Sequence, residues 1–214
     1  MKKLFCIMTV LISLPLLGQS DTTFKYTSIG IHASMNASRV AGTFAGSGIN
    51  KVGIYSGISF KSFTTGNRFG YEIDASFAQK GMLKPPNQKD GDYTKFLMEL
   101  NYAQLESFLT MNINDITYGA GIGCGYLISS SETDENDQII TGNGDFQPIE
   151  LFGSLSVEFP LGDRTSLGFR MAHSIVPIRK HENGATFRLN RGQYSQVLSF
   201  MLRYTILGKR TVVQ

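Results

Sequence analysis

Tryptophan is absent from this 214-residue chain, cysteine occurs only twice and proline six times. No stretch reaches the about 20 unbroken apolar residues that a membrane-spanning helix needs. Nowhere do apolar residues recur at i, i+3 and i+4 over more than a turn or two, so long helices are not expected. Charge of one sign is lacking too: the formal charge is +3, and Lys2 and Lys3 carry two of those units. Without them a near-neutral chain offers no electrostatic footprint for nucleic acid. Cys6 falls in the leader described next, which leaves Cys124 alone and rules out an internal disulfide.

What is there begins with that leader. Lys2 and Lys3 precede an apolar run from Leu4 to Leu17, interrupted by Pro15 and followed by Gly18, Gln19 and Ser20. A basic start, roughly fourteen apolar residues and a small or polar end are the layout of a secretory signal peptide. Residues 1–19 are expected to be cleaved, leaving residues 20–214 as one domain. Cys6 heads the apolar run, so no lipoprotein anchor is expected there.

The remainder alternates. Residues 196–207, QVLSFMLRYTIL, set Leu198, Phe200, Leu202, Tyr204 and Ile206 in one row and Ser199, Met201, Arg203 and Thr205 in the other. Successive strand side chains point to opposite faces, so this is a strand with one wholly apolar face. The period recurs at residues 27–36, 50–62, 68–79, 95–111, 116–129, 146–159 and 164–174, which makes eight segments. In the third, Phe69, Tyr71, Ile73, Ala75 and Phe77 oppose Arg68, Glu72 and Asp74. In the fifth, Ile122, Cys124 and Tyr126 oppose the glycine row Gly119, Gly121, Gly123 and Gly125. The fourth changes phase: Phe96, Met98, Leu100 and Tyr102 share one parity, Ala103, Leu105, Leu109 and Met111 the other. Either a β-bulge near Tyr102 reconciles them, or the first third of this strand stands above a membrane and only the second parity meets lipid.

The connections alternate long and short: residues 37–49, 80–94, 130–145 and 175–192 against 63–67, 112–115 and 160–163. An up-and-down outer-membrane barrel has this pattern, with short periplasmic turns, long external loops and, for an even strand count, both ends in the periplasm. The apolar rows are nearly free of charge. Pooled, the polar rows supply Arg68, Glu72, Asp74, Glu150, Glu158, Arg164, Arg170 and Arg203. Glu72, Asp74, Glu158, Arg68, Arg170 and Arg203 are expected to face inward and pair across the lumen, with the glycine row leaving room for the arginines. Leu198, Phe200, Leu202, Ile73 and Ile122 are expected to face lipid. Phe60, Phe69, Tyr71, Tyr118, Phe159 and Tyr204 fall near the turn ends, as an interfacial girdle would. The expected fold is an all-β, eight-stranded antiparallel up-and-down transmembrane barrel.

The stretch Tyr102-Ala-Gln-Leu-Glu-Ser-Phe-Leu-Thr, the Tyr118-Gly-Ala-Gly-Ile-Gly segment and the terminal Leu-Arg-Tyr strand resemble the outer-membrane β-barrel domain family of the PorT type. Glu106 stands where that family tends to have proline, and residues 208–214 follow the last strand. The resemblance implies this fold and an outer-membrane location, and one family member is associated with protein secretion.

Motifs for chemistry are weak. The glycine row has period two and no following helix, so it is not a dinucleotide loop. Asp134-Glu-Asn136-Asp-Gln138 resembles the start of a calcium loop, but Ile139 replaces the turn glycine and Asp145 the twelfth-position glutamate. His173 and Ser174 are adjacent strand residues and cannot pair for catalysis. His32 is a lone lumen histidine, Cys124 an inert lipid-facing thiol, and Asn36-Ala-Ser38 a minimal glycosylation match. No catalytic, cofactor or metal residues are expected. The expected partners are outer-membrane lipid and envelope or secretion-complex proteins, with no small-molecule substrate evident. The expected role is a non-enzymatic barrel with a side-chain-filled lumen; a secretion-apparatus subunit or small channel is the alternative.

Overall fold

The computed structural model describes residues 24–42, 51–64, 68–86, 91, 93–140, 144–180 and 192–208. Every alternating segment forms a strand: β1 (Phe24–Ala41), β2 (Lys51–Thr64), β3 (Phe69–Lys84), β4 (Phe96–Ile113), β5 (Ile116–Thr133), β6 (Ile149–Pro160) and β7 (Thr165–Ser174). A two-residue β8 (Arg179–Lys180) precedes β9 (Gly192–Leu207). From β1 to β7 each strand pairs antiparallel with the next, β7 pairs with β9, and β9 returns to β1. The chain is therefore an all-β up-and-down ring of eight long strands, with β8 pairing only with the start of β9.

Tight connections share one end of the ring. Asn114 and Asp115 join β4 to β5, at φ 50° and 65°, a two-residue turn whose mirror-image twist suits a hairpin. Asn and Asp tolerate this region better than other non-glycine residues. Leu161 N–H donates to the Thr165 carbonyl at 2.9 Å between β6 and β7. Residues 65–67 of the β2–β3 turn, like the expected leader, lie outside the described residues. The start of β1 and the end of β9 lie at this end too, because Phe24 pairs with Thr64 and Ile29 with Leu207. At the other end the strands run further than alternation predicts: residues 37–41, 80–84 and 130–133, expected in loops, extend β1, β3 and β5. Backbone pairing continues there, Lys84 with Phe96 and Leu97 with Thr133, where the side-chain period has faded.

The phase change in β4 does not come from a bulge in that strand. β4 alternates throughout, with Met98, Leu100, Tyr102, Glu106, Phe108 and Thr110 all turned inward. The bulge is in β5: Asn101 faces Ser129 while Tyr102 faces Leu127, which leaves Ile128 extra. It flips the parity of β5 and brings Glu132 inside. The upper apolar row of β4 is interior, where Met98, Leu100 and Tyr102 pack with Val40, Met82 and Ile178. Only the second parity, starting at Ala103, faces outward.

Candidate functional site

Turning the apolar rows out turns the polar rows in. Glu72, Asp74, Glu158, Arg170 and Arg203 are 1–8% exposed and pair across the lumen, as expected. They stack in layers. Nearest the tight turns, Arg203 donates to Glu72 at 2.5 Å and lies 3.5 Å from Glu158. Lys61 pairs with Glu158 and sits 3.4 Å from Glu72, so two cations and two anions from β2, β3, β6 and β9 close a square. At mid-height Arg170 donates twice to Glu106, at 2.5 and 3.0 Å, and its guanidinium lies 4.8 Å over the Tyr55 ring. Ser154 donates its hydroxyl to the other Glu106 oxygen. The Tyr55 hydroxyl donates to Asp74 at 2.9 Å, and its ring stacks 4.7 Å from His32.

Above this layer Lys80 donates to Glu150 at 2.7 Å, with its ammonium against the rings of Tyr102 and Phe152. Highest, Arg179 on β8 meets Glu132 at 2.8 Å over the Phe146 ring. An eight-stranded ring has an interior just wide enough for side chains. A charge left unpaired there would cost several kcal/mol, and the cross-lumen pairs answer that cost.

Two expected lumen residues are not in the lumen. Arg68 and Arg164 are exposed on tight turns, Arg68 with its guanidinium 5.9 Å over Phe69. Each lies one residue before its strand starts, where the pleat no longer dictates direction. Conversely, Lys80, Glu132 and Arg179 were expected in loops, and Glu106 stood out only as a departure from the family pattern. Continuing the Glu72–Asp74 parity to Lys80 would have found one of them. Glu132 needed the bulge and Arg179 the tertiary fold.

The glycine row faces inward, but aromatic rings and not arginines occupy the room it leaves. A Cβ on Gly121 would sit 2.7 Å from Phe108, and one on Gly123 2.4 Å from Phe152. On Gly125 it would approach Tyr102 to 3.1 Å. Phe152 in turn lies beside Arg170 and Lys80, so the glycines seat the rings on which the cations rest. Gly123→Ala should cost about 1–3 kcal/mol through overpacking, since the buried Phe152 ring has nowhere to go. A lower urea midpoint is expected, partly restored by Phe152→Leu; an unchanged midpoint would show that the ring can yield.

The remaining sequence candidates are accounted for locally. His173 points outward beside Tyr194, while Ser174 points inward and accepts the Ser195 N–H at 2.8 Å. Cys124 is a free, half-buried thiol on the outward row. Asn36 is 1% exposed and accepts the Ser199 hydroxyl at 2.6 Å, closed to any modifying enzyme. The Asp134 carboxylate caps the backbone N–H groups of Asn136 and Gln138 at 2.9 and 2.8 Å, the role of a turn residue. Among the described residues no three His, Cys, Asp or Glu side chains could hold a metal ion.

No protein-family model matches the sequence, and no curated protein does. Among solved structures the chain is similar to Neisserial surface protein A, at 10% identity over 84% of this chain and 99% of that one, with a TM-score of 0.45. It is similar to Ail, the attachment invasion locus protein of Yersinia pestis, at 13% identity over 85% and 99%, TM-score 0.41. The outer membrane protein OprG of Pseudomonas aeruginosa gives 11% identity over 88% and 98%, TM-score 0.36.

Proposed function

We propose that this chain is a non-enzymatic integral protein of a bacterial outer membrane, with its tight turns in the periplasm and its long loops outside. The carrying observation is the inversion of its two faces. Ile31, Met35, Ile58, Leu109, Ile122 and Phe200 are 44–76% exposed, while Lys61, Lys80, Arg170 and Arg203 are 2–8% exposed. A continuous apolar surface of this kind has no place in water.

The belt has the dimensions of a bilayer. From Leu198 to Ile206 the outward row covers eight residue steps, roughly 20 Å along the normal for a tilted strand, against an apolar band of about 25 Å. Tyr71, Tyr118 and Tyr204 line its tight-turn edge. Its other edge is polar: Arg39, Gln196 and His173 face outward in one row across β1, β9 and β7, and Gln79 pairs with Asn101 across β3 and β4.

Function would then reside in the described ends of the long loops and in the rigid wall that carries them, a structural or interaction role. The secretion-complex alternative rests on the resemblance to the PorT-type family alone. Membrane fractionation with gel mobility before and after boiling tests the assignment. A mature chain that stays soluble without detergent and shows no mobility shift would overturn it.

A further inference from the structure

The interior is polar over most of its height and is crossed near the loop end by one apolar layer, beside the Arg179–Glu132 pair. Along β1 and β4 the hydroxyls of Ser34, Thr110 and Tyr102 and both amide atoms of Gln104 are buried with no protein hydrogen-bond partner among the described residues. Thr110 is three residues from the tight-turn end of β4 at Ile113, whereas Tyr102 is eleven residues from it. Buried polar groups need a partner, and where no protein group supplies one that partner is water. A small cavity of about 50 Å³ opens at the tight-turn mouth, lined by Ser28, Lys61, Glu158, Ser166 and Arg203 among others, with room for a few waters.

Beyond Tyr102 the character changes within one rung. Leu100, Met98, Met82, Val40 and Ile178 are 0–2% exposed and form an apolar layer. All but Ile178 belong to the barrel wall. Ile178 sits on the strap of residues 175–180 that folds from the end of β7 back into the mouth. Backbone bonds hold it, Ile178 N–H to Gln193 at 2.8 Å, Gln147 N–H to Ile178 at 2.7 Å and Ile175 N–H to Leu151 at 2.8 Å, together with the pairing of β8 with β9. Arg179 latches it to Glu132 at 2.8 Å and to Gln193 at 3.0 Å.

We propose that the barrel is a hydrated blind well, open at the tight-turn mouth and sealed at the other by this strap, and that displacing the strap makes it a conduit for water and small ions. The proposal rests on the membrane-barrel reading above. A thin apolar layer blocks water by dewetting, and freeing the member that the strap supplies lets water through.

The test uses the full mature protein in lipid vesicles. Osmotic water permeability of Ile178→Gly and Arg179→Ala should rise about tenfold over wild type, with gel mobility shifts on boiling retained. Thr110→Cys, in a chain whose Cys124 is replaced by serine, should react with a small charged thiol reagent although the strap is intact. Folded strap variants with wild-type permeability would overturn the seal. A Thr110→Cys thiol inert in the folded protein would overturn the well. Failure to float with vesicles or to shift on boiling would instead remove the membrane reading itself.

Discussion

Glu106→Ala should be the most damaging single change in the lumen, at about 3–5 kcal/mol, because it strands the buried Arg170 guanidinium without its charged acceptor. Arg170 makes two hydrogen bonds to this carboxylate and is 2% exposed, so only a few interior waters, which carry no charge, are at hand to replace it. Ser154 loses its acceptor in the same variant. Glu106→Gln keeps the shape and an acceptor oxygen and should lose less. Replacing both members, Glu106→Leu with Arg170→Met, should recover most of the loss, since two well-packed apolar groups leave no orphaned charge. Urea midpoints of the mobility shift in detergent or vesicles read all three. The exposed pair of Lys95 and Asp137, 2.8 Å apart, is the contrast: Asp137→Asn should change stability by at most about 1 kcal/mol. A Glu106→Ala midpoint as close to wild type as that of Asp137→Asn would mean that Arg170 finds water or another anion, and that the cross-lumen pairs are not what holds the ring.

The second large effect belongs to the opposite face. Phe200→Arg should cost roughly 2–4 kcal/mol of insertion, the charge being forced into the middle of the apolar band. Phe200 is 49% exposed, and its ring meets Phe169 edge-on at 5.1 Å, so the loss is of lipid contact more than of core. Tyr204→Arg, at the tight-turn rim, should be nearly neutral because an arginine there reaches the headgroups. Ser199 completes the test. It is fully buried and hydrogen-bonded to Asn36. Ser199→Leu should lower stability but leave membrane partitioning intact. Vesicle flotation and urea midpoints separate the three. Equal damage from Phe200→Arg and Tyr204→Arg would say that no depth-graded apolar phase surrounds the barrel.

The two faces differ in how far the sequence reveals them. Strand existence, strand order, the gathering of the short turns at one end and the outward row were all legible, because a period of two needs only local sequence. Phe200, Ile73 and Ile122 follow from it directly, as do the inward Glu72, Asp74 and Arg203. Parity fails where the pleat stops or slips. Arg68 and Arg164 were lost to the turns by a single residue. Glu132 was hidden because one extra residue in β5, Ile128, reverses every position after it. The inward run Met98, Leu100 and Tyr102 left two readings open, a bulge or a strand end beyond the lipid, since an apolar side chain is equally at home in hydrocarbon and in a packed plug.

What the sequence determined by itself is the ring and the side of it on which each central residue stands. Only the tertiary structure decided who meets whom across it. Lys61 and Glu158 are separated by 97 positions, Glu72 and Arg203 by 131, and nothing local distinguishes these partners from the other lumen charges. The reason is geometric: alternation is a property of one strand, whereas pairing across the lumen depends on register, on the β5 bulge and on which rings the glycine row admits. The seal at the loop end has the same origin, an isoleucine from a strap that no periodicity marks, placed in the mouth by backbone bonds to residues on either side of it.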